Sequence, residues 1–298
     1  MAASYAIIIC HGSYHTPIPY QPFIIALQTQ GIEAYCPQLP TSDLRKLNVG
    51  IQESSTLSQP NFDRPPPSGG YPQPADDALV INELLDRLIE EEGKNVILLG
   101  HSAGGFVATY SARRKYQRKV RQASNLPGGL VGIFYVCAFM IPVGESVHSF
   151  FQPKDGPGIV PPYCQFHGNG FEGIASTVNA AQYFFSGLPE EKAKYYESTM
   201  TASPVPTTVL DNDAYTELPC AYVIADSDLA LPAAFQEAMV VNGRPWVVAF
   251  QISACGPPLY ASPPPLPLLP RASPLHAGLT RRRVCETAEM VNFTRWRG

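Results

Sequence analysis

The 298-residue chain is 45% hydrophobic. That is enough to fill a sizeable core, and the length favours one large domain with an inserted sub-domain over two full domains. The formal net charge of −4 argues against a nucleic-acid partner, and the sequence has no run of roughly 18 apolar residues, the length that a membrane helix needs. Seven scattered cysteines without CxxC spacing predict a reduced, cytoplasmic protein with neither a disulfide framework nor a zinc site.

Strand-like and helix-like patterns alternate along the chain. Continuous apolar, β-branched runs are typical of strands buried on both faces of a parallel sheet, and they occur at residues 6–10, 32–36, 95–99, 130–140 and 220–225. Apolar residues at helical spacing occur at 20–30 and 79–89, and a further helix is expected directly after residue 105. The alternation predicts an α/β fold with a mostly parallel central sheet and helices on both faces.

The pattern changes at residues 147–218, which are rich in Phe and Tyr. This stretch contains helical pieces, such as 189–199, but no convincing buried strand. We therefore expect a single α/β domain over residues 1–298, with a helical cap inserted at 147–218 over one end of the sheet. A second, Pro-rich and irregular insertion is expected at 255–274, because closely spaced prolines form neither helix nor central strand.

The motif Gly100-x-Ser102-x-Gly104 lies between a predicted strand and a predicted helix. In this context the motif marks a nucleophilic serine, which is held on a sharp turn. The residues two positions away from the serine must be small, and glycine meets that need. The helix that follows points its first N–H groups toward developing negative charge. Ser102 is therefore the candidate nucleophile.

The segment His11-Gly12-Ser13 follows the first predicted strand. Acyl transfer needs two donors that are aimed at the tetrahedral oxyanion. We assign them to the backbone N–H groups of Ser13 and Ala103, because Gly12 lets the first loop approach closely. His11 is interpreted as a structural residue that braces this loop, and not as the catalytic base.

A nucleophilic serine also needs a base and an acid. Where a Gly-x-Ser-x-Gly turn carries the nucleophile, the acid follows it in the sequence and the histidine comes last. Asp226 and Asp228 both follow the strand predicted at 220–225. We prefer Asp228 as the acid, with Asp226 as the alternative that could instead cap the next helix. His276 is the only histidine after the acid, so it is assigned as the base.

Three segments carry a family resemblance: residues 9–13 (ICHGS), 100–105 (GHSAGG) and 228–236 (DLALPAAFQ). They resemble the α/β-hydrolase superfamily, and within it the small cofactor-free esterases related to plant methylesterases and hydroxynitrile lyases. The resemblance covers about residues 5–250 and implies a helical cap over the active site. It supports Asp228 over Asp226, because the family's catalytic Asp stands a few residues before a proline and a Phe-Gln pair.

The C-terminal part departs from the family pattern. The family usually has a glycine directly before its catalytic histidine, whereas Leu275 precedes His276 here. Residues 279–291 again resemble the family's last helix. The insertion at 255–274 is therefore interpreted as a real loop or as translated non-coding sequence, and a proline-rich ligand for an SH3-like module is the third interpretation.

These residues support one leading function and two alternatives. The leading hypothesis is hydrolysis of a small carboxylic ester or lactone through an acyl-enzyme, a reaction that needs no metal or cofactor. The aromatic cap suggests an apolar or aromatic small-molecule substrate. The alternatives are a cofactor-free lyase or C–C hydrolase on the same fold, and a non-catalytic small-molecule receptor with a degenerate triad.

Overall fold

The computed structural model describes residues 4–50, 59–155, 157–241, 247–252, 258–260 and 282–284. In these ranges it confirms the predicted α/β architecture. The strands are β1 Tyr5–Cys10, β2 Glu33–Tyr35, β3 Asn95–His101, β4 Gly129–Val136, β5 Cys164–Phe166, β6 Ile174–Thr177, β7 Ala202–Pro204, β8 Cys220–Ala225, β9 Val247–Ile252 and β10 Arg282–Val284.

Helices alternate with the strands, as the sequence predicts. The α-helices of the described residues are α1 Gln21–Thr29, α2 Pro74–Leu85, α3 Gly104–Ser111, α4 Arg118–Ala123, α5 Val147–Phe151, α6 Ala180–Tyr183, α7 Glu190–Glu197, α8 Ala214–Glu217 and α9 Ala233–Val241. The helix predicted around residues 79–89 has two parts, because α2 passes directly into a π-helical segment at Asp86–Glu91. None of the described helices is long and apolar enough to span a membrane.

Seven of the strands form the central sheet, in the order β10-β9-β8-β4-β3-β1-β2. All neighbouring pairs are parallel. Successive side chains of a strand point to opposite faces; thus Ile7 and Ile9 of β1 enter one hydrophobic cluster, and Ile8 enters the other. The sheet is therefore covered on both faces, which explains why β1 is a continuous apolar run.

The cap region is partly a sheet, and this corrects the prediction of a helical cap without strands. Strands β5, β6 and β7 form a small antiparallel sheet, with helices before, within and after it. Strand β5 has no buried residue, so its sequence has none of the apolar runs by which the core strands are recognised.

Hydrogen bonds attach this small sheet to the carboxyl end of the central sheet. Thr201 N–H donates to the carbonyl of Tyr14 over 2.7 Å. The hydroxyl of Ser203 accepts from Tyr14 N–H over 3.0 Å and donates to the carbonyl of Thr41 over 3.0 Å. Tyr14 follows β1 and Thr41 follows β2, so the cap lies over the loops at that edge.

The C-terminal region differs from the family resemblance. Residues 282–284 were expected in a last helix over 279–291; they form β10, which pairs with β9. This pairing satisfies backbone groups of β9 that would otherwise stand at an open sheet edge. Residues 258–260 form a single 3₁₀ turn. The rest of the Pro-rich insertion at 255–274, and His276, lie outside the described residues.

Candidate active site

Ser102 lies on the turn between β3 and α3. Its backbone is in the left-handed region, with φ of +52°, a conformation that a residue with a side chain holds only when its surroundings enforce it. Two hydrogen bonds to the chain after β4 hold Ser102 in this conformation. Ser102 N–H donates to the carbonyl of Cys137 over 3.2 Å, and the carbonyl of Ser102 accepts from Phe139 N–H over 2.8 Å.

The two glycines of the motif have no room for side chains. A Cβ on Gly104 would lie 1.9 Å from the carbonyl oxygen of Cys10, and a Cβ on Gly100 would lie 2.5 Å from Cα of Gly105. Both distances are far inside the roughly 3.5–4 Å of favourable atomic contact, and both obstacles are backbone. The glycines are therefore required because α3 approaches β1 and its own strand so closely.

The loop after β1 passes directly against the candidate nucleophile. A Cβ on Gly12 would lie 2.9 Å from Cβ of Ser102. Gly12 N–H donates to the hydroxyl of Tyr20 over 3.1 Å, and Tyr14 N–H donates to the hydroxyl of Ser203. Between them, Ser13 N–H has no hydrogen-bond partner among the described residues. This is notable because most backbone donors in folded proteins are paired.

Ala103 N–H is also without a partner in the described part of the chain, although the neighbouring Ser102 N–H and Gly105 N–H are both paired. Ser13 and Ala103 line one cleft, together with His11, Thr41, Pro74, Asp77, Val107, Val147, Pro204 and Pro206. Two free amide donors beside a serine are the arrangement that stabilises an oxyanion. The structure thus brings together the two amides that the sequence assigns to this role, which stays a prediction.

His11 is buried, with both ring nitrogens engaged. Leu39 N–H donates to Nε2 over 3.0 Å, so Nε2 is the acceptor, and Nδ1 donates to the carbonyl of Gly12 over 2.9 Å. Burial lowers the pKa of His11 to about 4, so the ring is neutral at pH 7. A general base needs a free nitrogen for the proton that it takes. These contacts tie the β1 loop to the chain after β2, as expected of a bracing residue.

Two histidine–tyrosine pairs lie behind this loop, and sequence reasoning missed them. The hydroxyl of Tyr20 is 2.6 Å from Nδ1 of His101, and the hydroxyl of Tyr260 is 2.7 Å from Nε2 of His15. Burial lowers the pKa of both histidines, that of His15 to about 3. All four side chains are buried. The partners of each pair come from distant parts of the sequence, so no local sequence pattern predicts that they meet.

The two candidate acids after β8 have different environments. Asp228 is buried, with an exposed fraction of 8%, whereas Asp226 is exposed. Oδ1 of Asp228 accepts from the N–H groups of Ala230 and Leu231, both over 2.9 Å. Oδ2 accepts from Nε2 of Gln236 over 3.3 Å. Burial raises the pKa of Asp228, and the two backbone donors oppose that rise.

Cys137 connects the acid to the nucleophile's backbone. Burial and the nearby Asp228 carboxyl group raise the pKa of its thiol, and its carbonyl accepts from Ser102 N–H. Its own φ is +45°, so it also sits in the left-handed region. The predicted Ser102 and Asp228 therefore share a buried neighbour at the ends of β4 and β8. His276, the predicted base, lies outside the described residues.

The α/β hydrolase family model matches residues 7–263 of the chain. The chain belongs to the α/β-hydrolase family. It is 25% identical over 252 residues to the α/β hydrolase nvfD of Aspergillus novofumigatus, covering 84% of this chain and 87% of that protein.

Two solved structures show the same fold as this hydrolase-family chain. A pyrethroid hydrolase from Sphingobium faniae superimposes with a TM-score of 0.61 at 20% identity, covering 86% of this chain and 91% of that chain. A methylesterase from Arabidopsis superimposes with a TM-score of 0.51 at 16% identity, covering 83% and 89%.

The cap aromatics of this family member pack on one another and on the hydrophobic clusters of the central sheet. Ring centroids are 5.0 Å apart for Tyr163 and Phe184, and 4.6 Å apart for Phe166 and Phe171. No Phe, Tyr or Trp is among the described residues that line the cleft. The aromatic composition of the cap is thus explained by its own packing, and the cleft walls are made of proline, valine and a few polar side chains.

Proposed function

We propose that this protein is a serine hydrolase that cleaves a small carboxylic ester or lactone through an acyl-enzyme intermediate. One observation carries the proposal: a serine held in the left-handed conformation lies against the loop at Gly12, between the unpartnered amides of the adjacent Ser13 and Ala103. Such preorganised donors act on charge that develops during the reaction, and they need no rearrangement to do so.

In the proposed reaction, the hydroxyl oxygen of Ser102 attacks the ester carbonyl while His276 takes the hydroxyl proton. The N–H groups of Ser13 and Ala103 hold the resulting oxyanion. Asp228 orients His276 and stabilises its cation. The intermediate collapses, and the alcohol leaves with the proton from His276. Water then attacks the acyl-enzyme with His276 as base, which releases the acid and restores Ser102.

The walls of the cleft support a substrate with an apolar part. Val107, Val147 and Pro204 offer aliphatic surface close to the amides. The structural neighbours named as a pyrethroid hydrolase and a methylesterase also support ester hydrolysis over the lyase alternative.

The test is hydrolysis of nitrophenyl butyrate by the full chain, together with labelling by a fluorophosphonate that modifies activated serines. We expect Ser102→Ala to abolish both signals. His276→Ala and Asp228→Asn should each lower kcat/KM at least about a hundredfold, the usual scale for losing acid–base catalysis. Asp226→Asn is the matched control and should retain the parent's activity.

Each part of the proposal has its own contrary outcome. A parent that neither labels nor hydrolyses any short-chain ester would support the non-catalytic receptor. Labelling at Ser102 without ester hydrolysis would support a lyase. If His276→Ala is fully active, the base is another group, and if Asp226→Asn loses more activity than Asp228→Asn, the acid assignment is reversed.

A further inference from the structure

Asp77 is the one charged side chain among the described residues that line the cleft. It lies in the first turn of α2 and has an exposed fraction of only 2%. Its Oδ1 accepts from Thr41 N–H over 2.9 Å, and its Oδ2 accepts from the Thr41 hydroxyl over 2.7 Å. The carboxyl group is thus held in a fixed position in the cleft that Ser13 and Ala103 also line.

Thr41 does not exhaust the hydrogen-bonding capacity of this carboxyl group. Each carboxylate oxygen can accept at least two hydrogen bonds, and Thr41 supplies one to each. In the described part of the chain, Asp77 forms no salt bridge. One acceptor site therefore remains on each oxygen, so this carboxyl group can accept a further hydrogen bond inside the mostly aliphatic cleft. The geometry points to a ligand as the donor.

The protonation of Asp77 decides which ligand groups fit. Burial raises its pKa to about 7; Asp76 on the same helix adds to the rise, and Lys46 opposes it. The other titratable groups nearby are uncharged at pH 7, because burial raises the pKa of the Cys10 thiol and lowers that of His11. At neutral pH, Asp77 is therefore present both as a carboxylate and as a carboxylic acid.

A hydroxyl group is compatible with both forms. It donates to the carboxylate and accepts from the carboxylic acid. An ammonium group would suit only the ionised form, and a carbonyl would suit only the protonated form. We propose that Asp77 selects substrates that carry a hydroxyl group close to the reacting carbonyl, so that the substrate class is hydroxylated esters or lactones. This inference rests on the proposed ester hydrolysis.

The test compares matched substrates that differ only by a hydroxyl group. Nitrophenyl 3-hydroxybutyrate against nitrophenyl butyrate probes the acyl side, and 2-hydroxyethyl butyrate against propyl butyrate probes the alcohol side. In at least one pair, the parent should favour the hydroxylated member in kcat/KM by about tenfold or more, as expected for a hydrogen bond to a charged or partly charged group. Asp77→Asn, which has the same shape, should lower that ratio severalfold.

Two further variants separate recognition from a structural role. Asp76→Asn makes the same chemical change on the exposed side of α2 and should keep the parent's ratio. Thr41→Val removes one structural hydrogen bond but leaves the carboxyl group, so it should also keep the preference. A purely structural Asp77 would instead lower kcat/KM for both members of a pair equally, and that result overturns the proposal. So does a parent without preference in either pair.

Ester binding to the Ser102→Ala variant tests whether Asp77 recognises a hydroxyl group without any need for turnover. Calorimetry should find methyl 3-hydroxybutyrate or 2-hydroxyethyl butyrate bound more tightly than its unhydroxylated match. Adding Asp77→Asn should reduce the difference severalfold, because the amide offers only an uncharged partner. Equal affinities overturn the Asp77 proposal even if ester hydrolysis is established. Conversely, a parent that hydrolyses no ester refutes the proposed function, while the binding comparison still tests Asp77.

Discussion

Replacing Asp77 with Asn should change how the stability of the protein depends on pH. The folded state raises the pKa of Asp77 from 3.8 to about 7. At pH values between these two, the folded chain therefore retains a proton that the unfolded chain releases. Stability then falls as pH rises from about 4 to about 7, and this contribution levels off above the folded pKa.

The size of the effect follows from the pKa difference. From pH 5 to pH 8 the proton difference acts over about two pH units, and each unit corresponds to about 1.4 kcal/mol. The parent should therefore lose roughly 3 kcal/mol of unfolding free energy over this range relative to Asp77→Asn. The variant keeps its contacts with Thr41, because its Oδ1 can accept from Thr41 N–H and its amide can donate to the Thr41 hydroxyl.

Urea unfolding of parent and variant at pH 5 and pH 8 measures this difference. Groups that titrate alike in both proteins cancel in the comparison. Glu91→Gln is the control and should give the same difference from the parent at both pH values, because Glu91 is exposed and does not contribute to the pKa of Asp77. If Asp77→Asn also differs from the parent by the same amount at pH 5 and pH 8, the Asp77 carboxyl group does not titrate in this range, and the reasoning fails.

Two further predictions concern the loops around Ser102. In urea, Ser102→Gly should be more stable than Ser102→Ala by roughly 0.5–1 kcal/mol, because glycine adopts φ of +52° without strain; equal stabilities would mean that the turn stores no strain. Tyr20→Phe should destabilise the fold by about 2–4 kcal/mol and lower kcat for nitrophenyl butyrate. Gly12 N–H loses its partner, and Nδ1 of His101 keeps only the longer contact of 3.5 Å with the Tyr260 hydroxyl. Tyr35→Phe is its control, and equal losses would contradict the role of Tyr20.

Local patterns were enough to predict most of the central fold. The run at residues 6–10 corresponds to β1, and the run at 220–225 corresponds to β8. Both strands are buried on both faces, so nearly every side chain is apolar and the pattern is continuous. The small sheet of the cap was missed because its strands are too short to form a pattern: β5 has three residues, none of them buried, and β6 and β7 have four and three residues.

The α/β order of the elements and the position of Ser102 on a tight turn between strand and helix can be read from the amino-acid sequence alone. Both follow from short-range physics, namely apolar periodicity and the lack of space for a Cβ at Gly104. Only the tertiary structure showed that Asp228 is buried while Asp226 is exposed, and only it placed Asp77 in the cleft and Tyr20 behind the Gly12 loop. Their environments depend on burial and on contacts between distant segments, which no local pattern records.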